Sequence, residues 1–213
     1  MHMHSSKFLS WLFVGSLGLS SIASAVSLSF VRQTSNSAVD VAADLSLEVI
    51  SGGPNTVQFI FSKGALYDGF ITQIYFEDGD SLFSVIDFDT VLSSPGVAYA
   101  SPATPANPPG VNPFATSFSL DPNNPQPTWG ISAGENGTFI GTFAGPLSFA
   151  DVENAITNGT LRFALHAQGL PGGESDSFLA IAGGGPDDPP LPEPSTSLFG
   201  GLALLFLCLR RKR

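Results

Sequence analysis

Few side chains in this chain could do chemistry. His166 is the only histidine beyond the first four residues, and an imidazole is the usual base of a Ser-His-Asp hydrolase. In the run from Leu161 to His166 it alternates with Leu161, Phe163 and Leu165 and shares a face with Arg162, so it is expected to face solvent. Glu77-Asp78-Gly79-Asp80 offers hard oxygen donors, which makes Glu77, Asp78 and Asp80 the candidate ligands of a Ca2+ ion. The run lacks the spaced acids and closing glutamate of an EF-hand loop, and a solvated acidic turn is the alternative. Asp87 and Asp89 have the residue type of a glycosidase pair, whose diagnostic carboxylate separation a sequence does not give. Trp129, Tyr67, Tyr75 and Tyr99 would stack on sugar rings if exposed and fill a core if not. None of these is assigned a catalytic role, and Ca2+ is the only cofactor considered.

The elements that must position these residues are strands. Val26, Leu28 and Phe30 alternate with serines, Leu45, Leu47 and Val49 with polar residues that include Asp44 and Glu48, and Val57, Phe59 and Phe61 repeat the pattern. Ile74 and Phe76, Leu82 to Phe88, Phe114 to Leu120, Leu161 to Leu165 and Phe178 to Ala182 continue it. Asn136-Gly137, between Trp129–Ala133 and Thr138–Phe143, is the expected hairpin turn. Asn136-Gly137-Thr138 and Asn158-Gly159-Thr160 also fit the glycosylation acceptor pattern, and both are read as turns. One helix is expected from an N-cap at Ser148 to a stop at Asn158-Gly159, with Val152, Ala155 and Ile156 as its apolar stripe. The proline-rich stretches 94–113 and 121–127 read as exposed loops. The fold class is all-β: an antiparallel, jelly-roll-like β-sandwich with one short helix.

Charge and cysteine use bound the function. Between residues 26 and 192 three basic residues face seventeen acidic ones, a formal −14, against −10 for the whole chain. Such a body should repel nucleic acid. It is not a disordered acidic tail, because charged residues are only 12% of the chain and eighteen phenylalanines can fill a core. The single cysteine, Cys208, lies near the C-terminus, so residues 26–182 hold no disulfide, thiolate metal site or cysteine nucleophile.

The two ends speak about destination. Lys7 precedes an apolar stretch from Phe8 to Leu19, and Ala23-Ser24-Ala25 supplies the small residues at which a signal peptidase cuts. Residues 1–25 are therefore expected to be a signal peptide, 26–182 the β-sandwich and 183–191 a Gly/Pro-rich linker. At the other end Pro192-Glu193-Pro194 precedes an apolar run from Leu198 to Leu209 and the basic cluster Arg210, Arg211, Lys212 and Arg213. Basic residues after an apolar run stay on the cytoplasmic side. The run is shorter than the roughly 20 residues of a comfortable span, which suits a temporary tether.

The motif, the short apolar run and the basic cluster together resemble the PEP-CTERM sorting signal over residues 192–213. The resemblance implies processing by a membrane-embedded exosortase in a bacterium, transient inner-membrane anchoring, and a place at the cell surface or outside it, often with exopolysaccharide. The partners expected are the secretion translocon, signal peptidase, exosortase and an exopolysaccharide. The leading reading is a non-enzymatic matrix protein, with a calcium- or carbohydrate-binding module and a secreted hydrolase as the alternatives.

Overall fold

A computed structural model of the chain describes residues 25–182. The proposed sorting residues Pro192, Glu193, Pro194 and Arg210 to Arg213, together with Ala23, lie outside the described residues. Where polar and apolar residues alternate, the chain forms strands, because successive side chains in extended backbone point to opposite faces. The strands are β1 (Ala25–Arg32), β2 (Leu45–Gly53), β3 (Thr56–Lys63), β4 (Phe70–Asp78), β5 (Phe83–Asp89), β6 (Tyr99–Ala100), β7 (Phe118–Pro122), β8 (Asn136–Phe143), β9 (Leu161–Leu170) and β10 (Glu174–Ala182). A short 3-10 turn, Ala42–Asp44, precedes β2. Two helices complete the body, the single turn α1 (Gln126–Trp129) and α2 (Phe149–Asn158).

All strand pairs are antiparallel and form one ribbon in the order β5-β8-β3-β2-β1-β10-β9-β4-β7-β6. The ribbon folds over itself into an antiparallel β-sandwich, jelly-roll-like in that the first strand pairs with the last. Phenylalanines from strands far apart in the ribbon meet inside. Phe59 of β3 lies 5.2 Å from Phe76 of β4 and 5.5 Å from Phe163 of β9, and Phe61 packs edge-on against Phe76 and Phe139. Edge-to-face contact suits rings whose edges are positive and faces negative. The ends of the ribbon return towards each other, with Phe88 of β5 5.7 Å from Tyr99 of β6. The sandwich is therefore nearly closed.

Helix α2 forms where the sequence places it. The Asp151 carboxylate accepts from the Ser148 N–H at 2.7 Å and from its hydroxyl at 2.8 Å, and Gly159 ends the helix at φ +74°. The hydrogen bonds from Ser148, backbone first, hold the Asp151 carboxyl below the usual carboxylate range.

The expected hairpin at Asn136-Gly137 does not form. Asn136 and Gly137 are the first residues of β8, and only Ile131 of the preceding segment bridges a strand, at Ile71. Gly137 serves close approach: a Cβ there would lie 2.8 Å from the Ile131 side chain. The tight connections are instead Gly53 to Thr56, with Asn55 at φ +67°, and Leu170 to Glu174, with Gly172 and Gly173 at positive φ.

The long proline-rich stretch is not simply an exposed loop. It runs across the outer face of β4 and β9, where Ala103, Val111 and Phe114 form a second apolar cluster with Tyr75 and Ala164. The Tyr75 hydroxyl donates to the Pro105 carbonyl at 3.0 Å, and Ser119 Oγ accepts the Ala103 N–H at 3.1 Å.

Candidate functional site

His166 faces the outer side of β9, as its alternation requires, but that side is covered. The residue is 9% exposed, and its Nδ1 lies 3.0 Å from Ser177 Oγ across the β9–β10 pair. Burial lowers the imidazole below its ordinary value, while the Asp176 charge pulls the other way. The expectation of a solvent-facing histidine is thus corrected: a strand's second face is polar and open only when nothing packs on it.

The residue before Ser177 in β10 is a buried carboxylate that takes the opposite face of the strand. Asp176 is 0% exposed and accepts the Thr34 hydroxyl at 2.9 Å, the Asn36 N–H at 2.8 Å and the Ser37 N–H at 3.1 Å. The Arg32 guanidinium stands 3.7 Å away, and Thr34 Oγ1 also accepts the Ser177 N–H. Asp176 and Ser177 are neighbours on β10 and face apart, so serine, histidine and aspartate do not line up as a catalytic triad. The Asp176 carboxylate is occupied by the 34–37 segment, and Ser177 is 0% exposed, out of reach of a substrate. The arrangement clasps the connection after β1 onto β10.

Gly130-Ile131-Ser132-Ala133-Gly134 matches the G-x-S-x-G pattern, a match that strand periodicity passes over. In a hydrolase that serine sits on a sharp strand-to-helix turn. Here the segment leads into strand β8, and Glu135 Oε2 accepts the Ser132 N–H at 2.8 Å to form a local turn. The context the motif needs is missing.

The acidic run does not converge. Glu77 and Asp78 point to opposite faces of β4. Glu77 pairs with Arg162 at 2.8 Å, while Asp78 accepts the N–H groups of Leu82 and Phe83 at 2.9 and 3.0 Å. Asp80 accepts the Thr160 hydroxyl. Glu77, Asp78 and Asp80 are thus spent on three separate protein partners. Among the described residues no group of three or more His, Cys, Asp or Glu side chains comes together to hold a metal ion. Asp89 caps the following turn through the Val91 and Leu92 N–H groups, and Asp87 is exposed on β5.

No family model, curated protein or solved structure matches the chain. Tyr75 and Tyr99 are core residues, and Tyr67 is partly buried. Burial pushes the phenols of Tyr75 and Tyr99 above their ordinary range.

An ion pair that alternation misplaces closes one end of the core. Lys63 is 1% exposed on the inward side of β3, and its Nζ donates to Asp44 at 2.9 Å, the Tyr67 carbonyl at 2.6 Å and the Gly64 carbonyl at 3.3 Å. Asp44, expected on the solvent face, also accepts the Leu66 and Tyr67 N–H groups at 3.2 Å each. Burial raises the Asp44 carboxyl, but Lys63 and the two N–H donors outweigh it and hold it below the usual range. The ammonium and carboxylate are both well satisfied as ions, so the pair is a structural lock rather than a reactive couple.

What remains open is the outer face of the other layer, β5-β8-β3-β2-β1. It mixes Ser27, Ser46, Glu48, Gln58 and Asp87 with the part-exposed Ile50, Ile60 and Ile140. Arg32, Lys63 and Arg162, the basic residues of the described body, all pair with carboxylates.

Proposed function

We propose that this chain is an exported bacterial protein, trimmed at its C-terminus by an exosortase, that acts without catalysis as a structural component of the extracellular polysaccharide matrix. The observation that carries the reading is Pro192-Glu193-Pro194 followed by a short apolar run and Arg210-Arg211-Lys212-Arg213, which resembles the PEP-CTERM signal. The small-residue pattern Ala23-Ser24-Ala25 supports export. The shape of the body suits the role. Its polar chemistry is invested in holding the fold, its basic groups are paired internally, and its large excess of acidic residues favours solubility and dispersal in a hydrated matrix.

The test is the intact mass of the protein recovered from the surface and the medium of its native host. A chain beginning near Val26 and ending near residues 192–195 is the expected result. A chain that keeps Leu198 to Arg213 and is found only in membranes would make this an ordinary anchored protein and refute the sorting assignment.

A further inference from the structure

The bond that signal peptidase would cut, between Ala25 and Val26, is the first peptide bond of a strand. Both residues belong to β1, with Ala25 in register with Ile50 and Val26 with Val49. Three positions from the bond, Leu28 is 4% exposed and paired on both sides, with Leu47 of β2 and Ala182 of β10. A protease that binds an extended peptide needs free backbone N–H and C=O groups on either side of the bond. In the folded body β2 pairs with one edge of this stretch and takes the backbone groups of alternate residues, and the core holds Leu28.

We infer that the Ala25–Val26 bond is a substrate only before β1 is seated in the sheet, so that N-terminal processing must precede folding of the body. The inference rests on the export reading above and adds an order of events to it. The chemistry is a hydrolysis: water adds across the amide, Ala25 leaves with the new carboxylate, and Val26 keeps the new ammonium. The other end is under no such constraint. Nine residues separate Ala182 from Pro192, and an extended chain of that length reaches about 30 Å. A folded body can therefore stand clear of the enzyme that trims residues 192–213.

The experiment uses the full-length precursor purified in detergent, either folded or freshly diluted from urea, treated with signal peptidase and followed by intact mass. The unfolded precursor should be cut after Ala25. The folded one should be cut at least about tenfold more slowly, because cleavage follows the small fraction of molecules in which the strand end is open. A short Gly-Ser insert between Ala25 and Val26 moves the bond off the sheet and should bring the folded precursor up to the rate of the unfolded one. Equal rates for folded and unfolded wild-type precursor would overturn the ordering. If neither the unfolded chain nor the insert variant is cut after Ala25, the export reading itself fails, which is a different result.

Discussion

Replacing Asp44 with alanine should be among the most damaging single changes in the body. The substitution strands the Lys63 ammonium, whose side chain is 0% exposed, and leaves the Leu66 and Tyr67 N–H groups without their acceptor. Removing one partner of a buried ion pair costs about 3–5 kcal/mol. Domains have only about 5–15 kcal/mol of stability in all. With a urea dependence of about 2 kcal/mol per molar, the unfolding midpoint should fall by about 1.5–2.5 M. Lys63→Met should cost less, about 1–3 kcal/mol, because the carboxylate keeps two backbone donors. The double variant should be more stable than Asp44→Ala alone, since no lone charge remains inside.

Urea titration followed by circular dichroism measures all three. The pair also has a pH signature. The folded Asp44 carboxyl lies below its unfolded value near 3.9, so its contribution is complete above that pH and is lost as pH falls through the depressed folded value. Asp44→Ala should therefore flatten the acid limb of the stability curve. An Asp44→Ala cost below about 1 kcal/mol, the worth of an exposed pair, would refute the reasoning.

Three other outcomes follow from the same geometry. Phe59→Ala, which removes a ring in contact with Phe76, Phe83 and Phe163, should cost about 3–5 kcal/mol in the same titration. The lowered value of His166 means that the unfolded chain binds its proton first, so stability is full above about pH 6.5 and declines as pH falls towards the folded value. His166→Gln should remove that part of the slope, measured as melting temperature against pH. Because Glu77, Asp78 and Asp80 diverge, millimolar Ca2+ should leave the melting temperature unchanged, and a clear rise would show a site the geometry does not reveal.

Strand alternation made the sandwich legible, and the reasons for its failures are physical. Leu47, Val49, Phe59, Phe61 and Phe163 sit inside as their spacing requires. Asp44 does not follow because Ala42–Asp44 is a 3-10 turn, which breaks the period-two phase just before β2. Tyr75 lies on an outward face, but the pattern of one strand carries no information about a loop from elsewhere in the chain that covers it, and His166 is buried on the same face beside Ser177. Proline marks the stretch from Ser94 to Pro113 as irregular, which is correct for its backbone and silent about its packing. The contact between His166 and Ser177 depends on register between β9 and β10, which the sequence of either strand does not reveal. The carboxylates of the acidic run were legible as residues but not as directions, since two neighbours on a strand necessarily face apart.

The position of β10 bears on how the protein is made. It is the last strand of the described chain, yet it lies between β1 and β9, with five strands on one side of it and four on the other. While Glu174–Ala182 is still in the ribosome, the ribbon is in two pieces and the sandwich has no keystone. The two blocks of the ribbon, β5-β8-β3-β2-β1 and β9-β4-β7-β6, can then join only when the last strand is available. If the chain is exported as proposed above, late placement of a central strand would work as a timer built into topology.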